Sequence, residues 1–144
     1  MRSNFLKPNA ASRNSVSAIL INDECVNRIL YADCALREKL VNDLADVDGL
    51  NDGSTLLTLA AGRGDTHLMT LLLRHGANPD FRDWKENTAL EYAIGSGENK
   101  DIYVLIAFGA NLDLTNSEGL SPRALLKART NLPRILRMLI GMDY

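Results

Sequence analysis

The segment His75-Gly76-Ala77-Asn78 returns as Phe108-Gly109-Ala110-Asn111, exactly one repeat later at a displacement of 33 residues. No other feature constrains the fold as tightly. Thr55, Thr88 and Ser121 keep the same spacing, and so do the pairs Gly64 and Gly97, Ala60 and Ala93, Leu72 and Leu105, and Asp80 and Asp113. A unit this short cannot bury its own apolar face, so its copies must stack and share one core.

The unit has a physical reading. Thr55, Thr88 and Ser121 are placed to cap a helix, Glu91 can complete a capping box with Thr88, and Pro122 suits a first helical position. The first helix is short, about 56–62 in one unit and 89–95 in the next. Ala60 and Ala93 fall where a larger side chain would hold neighbouring helices apart, and Gly64 and Gly97 suit the left-handed residue that ends a helix. Leu68, Leu71 and Leu72, then Ile102, Leu105 and Ile106, recur at helical spacing in a second helix that Gly76 and Gly109 close.

This unit resembles the ankyrin repeat. The family's Thr-Pro-Leu-His-x-Ala opening stands here as Thr55-Leu56-Leu57-Thr58-Leu59-Ala60, Thr88-Ala89-Leu90-Glu91-Tyr92-Ala93 and Ser121-Pro122-Arg123-Ala124-Leu125-Leu126. Its closing Leu-Leu-x-x-Gly-Ala stands as Leu72-Leu73-Arg74-His75-Gly76-Ala77 and Leu105-Ile106-Ala107-Phe108-Gly109-Ala110. Thr58 and Glu91 replace the usual histidine, and Arg123 replaces a core leucine. The resemblance implies an all-α solenoid of helix-turn-helix units with projecting loops, about three to four repeats including caps. Residues 49–81 and 82–114 would be repeats and 115–144 a C-terminal capping repeat, judged by Arg123 and a missing terminal glycine. In that cap Ile135, Leu136, Met138 and Leu139 are expected to face inward. Residues 15–48 read as a helical cap or degenerate repeat, on the spacing of Ile19, Leu20, Val26, Ile29 and Leu30 and of Leu36, Leu40, Val41 and Leu44. Residues 1–14 read as a flexible tail rather than a transit segment, because Pro8 interrupts any amphipathic helix.

Composition narrows the function. The chain has 144 residues, 46% apolar, and a net charge of −2, which fits one folded domain rather than a disordered chain or a general nucleic-acid binder. No apolar run is long enough to insert in a membrane. Charge is nevertheless uneven: Asp43, Asp46, Asp48 and Asp52 gather before the middle, whereas Arg123, Lys127, Arg129, Arg134 and Arg137 face Asp143 alone. We read the basic end as a solvated cap. Nucleic-acid binding there is the competing reading, and it requires steep salt dependence.

No catalytic constellation is recognisable, and no cofactor, metal or small-molecule substrate is expected. His67 and His75 lack partners at ligand spacing, and His75 suits a helix C-terminus. Cys25 and Cys34 read as buried small residues; a reactive-cysteine site in the N-terminal third is the enzymatic alternative. Gly62-Arg63-Gly64-Asp65 contains an adhesion tripeptide but straddles a helix end. A cytoplasmic setting is expected, with the chain monomeric on its own.

By resemblance, a protein partner would bind along the loop tips and the exposed side of the first helices. The register selects Asn51, Asp52 and Ser54 in one tip, Arg82, Trp84, Lys85 and Asn87 in the next, and Thr115, Ser117, Glu118 and Leu120 in the third. Arg63, Ser96 and Arg129 are the matching helical positions. Trp84 stands out, since a tryptophan within Arg82-Asp83-Trp84-Lys85-Glu86 lies outside any core periodicity and suits an interface anchor. The alternative is that it folds over a neighbouring tip and stiffens the loop.

Overall fold

The computed structural model describes residues 20–142; the expected tail at 1–14, Ile19 and Asp143 lie outside them. The described residues form eight helices and no strand, apart from one isolated bridge between Asn51 and Ser54. They pair in chain order: α1 (Asp23–Tyr31) with α2 (Cys34–Asn42), α3 (Leu56–Arg63) with α4 (Thr66–Arg74), α5 (Ala89–Ser96) with α6 (Asn99–Ala107), and α7 (Pro122–Lys127) with α8 (Arg134–Leu139). The all-α ankyrin architecture is thus the observed one.

Local chemistry sets the helix ends. Asn22 caps α1 by accepting from Cys25 N–H. Thr55 and Thr58 exchange hydrogen bonds across the first turn of α3, with Thr58 Oγ1 accepting from Thr55 N–H at 3.0 Å and Thr55 Oγ1 accepting from Thr58 N–H at 3.0 Å. Glu91 makes the corresponding return bond to Thr88 N–H at 3.1 Å. The two residues that replace the family's histidine are therefore both used at the helix start. Gly64 and Gly97 end α3 and α5 at φ 70° and 83°, where a Cβ is penalised.

The core is a row of leucines and alanines through the stack. Ala60 and Ala93 are fully buried, as are Leu68, Met69, Leu72, Ile102 and Leu105. A rung of hydrogen bonds on the loop side keeps adjacent units in register. The Asp48 carboxylate accepts from Asn78 N–H at 2.9 Å, and the Asp80 carboxylate from Asn111 N–H at 2.7 Å. Asp113, next in the series, is held instead by the Arg123 side chain from the first turn of α7, through Nε at 2.7 Å and Nη2 at 3.1 Å. That pairing keeps the Asp113 carboxyl below the usual aspartate range.

Several expectations need correction. Leu136 is buried in α8, but Ile135 and Met138 are 61% and 63% exposed and Leu139 is also exposed. Leu132, Leu136 and Ile140, four residues apart, form the inward stripe. The terminal glycine is present: Gly141, at φ 78°, follows α8, and Met142 N–H closes on Arg137 C=O. Met138 thus precedes its glycine as Ile106 and Leu73 precede theirs, but no described unit covers it. Leu20 and Leu36 are exposed, and so is Cys34; only Cys25 is buried, and burial pushes its thiol up. Arg37, conversely, is buried. It donates to the Ile29 and Leu30 carbonyls at the end of α1 and pairs with Asp65, the N-cap of α4, at 3.2 Å.

Three tips share one left-handed position, at Gly53 (φ 80°), Glu86 (φ 63°) and Gly119 (φ 78°). Glu86 carries the strain that glycine avoids in the other two, and its exposed ion pair with Arg82 offsets little of it.

Three outcomes follow from this packing. Leu72→Ala or Leu105→Ala is expected to lower unfolding free energy by roughly 2–5 kcal/mol in denaturant titrations. Glu86→Gly is expected to raise it by roughly 0.5–1 kcal/mol, the left-handed penalty less the added chain entropy. The Asp113–Arg123 contribution is present above the ordinary aspartate pKa and is lost as pH falls through the lowered folded value. An NMR titration should show Asp113 titrating late in acid in the parent, and returning to the ordinary range in Arg123→Ala.

Candidate functional site

The sequence-selected residues do not fall into one continuous groove. Trp84, Lys85, Asn87, Ser117, Glu118 and Leu120 line a cleft of about 520 Å³ between the second and third tips. Four residues that sequence reasoning passed over complete it: Glu91 and Tyr92 from α5, Asn116 from the third tip, and Leu125 from α7. The others lie elsewhere. Asn51 donates to Asp23 at 2.9 Å, Asp52 is exposed in a left-handed conformation, and Ser54 pairs with Asn51 through the backbone. Arg63 sits over the exposed Tyr31 ring at 5.1 Å, Arg82 pairs with Glu86, and Ser96 bonds back to the Ala93 carbonyl. Thr115 is exposed beyond the cleft, and Arg129 is half-buried.

The second tip is built on Asp83. One carboxylate oxygen accepts from Lys85 N–H at 2.9 Å and Asn87 N–H at 3.0 Å, while the other accepts from the Tyr92 hydroxyl. Burial, and then the Asp83 hydrogen bond, push the Tyr92 phenol up. Asn116 repeats this device in the third tip, its Oδ1 accepting from Glu118 N–H and Leu120 N–H. Its amide nitrogen also donates to Glu91 Oε2 at 2.8 Å. Glu91 therefore joins the start of α5 to the following tip, a reach that the shorter Thr58 lacks.

Trp84 packs on the first tip and stays exposed. Its N–H donates to the Gly53 carbonyl at 2.9 Å, and its side chain lies so close to Gly53 that a Cβ there would stand 2.8 Å from Trp84 Cβ and Cδ1. It folds over the neighbouring tip, and yet it remains 68% exposed. The Lys85 ammonium lies 5.1 Å from the ring centroid. The result is a fixed aromatic surface facing outward.

Among the described residues no group of three or more His, Cys, Asp or Glu side chains could hold a metal, and no helix is long and apolar enough to cross a membrane. The adhesion tripeptide is divided between the end of α3 and the cap of α4, and its Asp65 carboxylate is engaged by Arg37.

Comparison with known proteins agrees with the architecture. The chain is 38% and 39% identical over 69 residues to two Arabidopsis thaliana proteins, the ADP-ribosylation factor GTPase-activating proteins AGD4 and AGD2. Each match takes in 48% of this chain and 9% of the relative. It is also 34% identical over 122 residues to the E3 ubiquitin-protein ligase Ufd4 of Drosophila melanogaster, covering 83% of this chain and 4% of the relative. The chain thus spans less than a tenth of the length of these relatives. The family described as ankyrin repeats (3 copies) matches residues 10–116, which take in α1 through α6. With its repeat, its paired helices and this match in agreement, the chain belongs to the ankyrin-repeat family, a fold of protein-interaction modules.

Proposed function

We propose that this protein is a non-enzymatic interaction module, an adaptor, inhibitor or targeting unit that holds a protein partner against its loop tips. The observation that carries this reading is Trp84, exposed yet fixed on the Gly53 main chain beside a cleft. Rigid aromatic anchors beside a cavity supply much of the energy of protein interfaces, because their ordering cost is already met in the free protein. The relatives' names describe a GTPase activator and a ubiquitin ligase, but the similarity takes in a small part of each. It supports a shared repeat module rather than a shared reaction. Exposed, unpaired Cys34 suits a reducing compartment such as the cytoplasm.

Affinity capture from lysate, followed by mass spectrometry and a binding titration with the recovered protein, tests this reading. Trp84→Ala is expected to weaken that binding by about 2 kcal/mol or more. Its folding stability should fall by less than about 1 kcal/mol, since the backbone bond to Gly53 survives. A variant that loses its fold while the folded fraction binds normally makes Trp84 structural and removes the anchor.

A further inference from the structure

We propose that the cleft between the second and third tips receives a cationic side chain, best an arginine, from an extended segment of the partner. This rests on the loop-tip reading above and adds the chemistry of the recognised residue. Trp84 offers an exposed ring, and the Lys85 ammonium, 5.1 Å from its centroid, shows that the ring already attracts a cation from its own chain. Across the cleft, Glu118 is exposed and makes no ion pair with any described residue. Glu91 adds a second negative charge on the cleft wall, its buried carboxylate already accepting from Thr88 N–H and the Asn116 amide, which leaves Glu118 as the open acceptor.

The lining therefore pairs an aromatic face with two carboxylates, and Lys85 is its one cation. An acidic ligand would bring a third negative charge beside Glu118 and Glu91. An apolar ligand would desolvate the Glu118 carboxylate without pairing it. A guanidinium suits both features: its plane stacks on an indole, and its edge donates to carboxylate oxygen. Lys85, on a flexible tether at the exposed rim, yields its place as the guanidinium enters.

Trp84 is the chain's one tryptophan, so its indole N–H resonance reports on this site alone. The probes are short acetylated and amidated glycine-serine peptides with a central arginine, glutamine or glutamate, titrated into the full chain. The arginine peptide is expected to shift the Trp84 resonance saturably, the glutamine peptide to bind at least about threefold more weakly, and the glutamate peptide to leave it in place. Glu118→Gln should weaken the arginine peptide by roughly two- to fivefold, and Lys85→Met should strengthen it. Equal binding by the glutamine or glutamate peptide overturns the charge preference and leaves the loop-tip reading standing. Shifts confined to other resonances, no shift at all, or an unchanged affinity in Glu118→Gln also overturn it. The loop-tip reading is then judged by the Trp84→Ala capture experiment alone.

Discussion

Close approach between successive first helices is the constraint on which the rest of the molecule depends. Ala60 and Ala93 are fully buried between them, and any larger side chain there would separate the units. Closeness sets the spacing of the tips, and so allows Asp48 and Asp80 to reach the backbone of the next unit. It also brings Trp84 onto the bare Gly53 main chain. The cleft is a product of that spacing: Glu91 can touch Asn116 only because their units sit one helix width apart.

Rigidity at the tips comes from side chains rather than from strands. Asp83 and Asn116 each gather two backbone N–H groups of their own loop, so both walls of the cleft are organised before anything binds. The first tip has Leu50 in this position and is organised differently, by the Asn51–Ser54 bridge and the Asn51 bond to Asp23. This difference helps explain why the cleft lies between the second and third tips.

The fold was legible because periodicity, caps and glycines at Thr55, Thr88, Gly64 and Gly97 all describe the same unit. Contacts between units were less so. Nothing local in the sequence announces that Glu91 reaches Asn116, 25 residues away, or that Arg37 is buried by collecting the carbonyls at the end of α1. The error in α8 has a similar origin. Its helical segment has apolar residues on two sides, and the inward stripe is completed by Leu132 and Ile140, which lie just outside the helix. Trp84 lies visibly outside the core periodicity of the sequence, but only the adjacent tip reveals that its exposure and its support coexist.

The Arg123–Asp113 pair also bears on how such a stack could be lengthened. Asp48 and Asp80 each accept from a backbone N–H of the next unit, whereas the Asp113 carboxylate is already occupied by the Arg123 side chain. The position held by Asn78 and Asn111 falls, one period on, at residue 144, so a backbone N–H in that register would compete with Arg123 for the Asp113 carboxylate. Restoring leucine at Arg123 would free that acceptor and return an apolar side chain to the position where the family has one. One side chain's choice of partner thus decides whether that last carboxylate is open to a backbone donor.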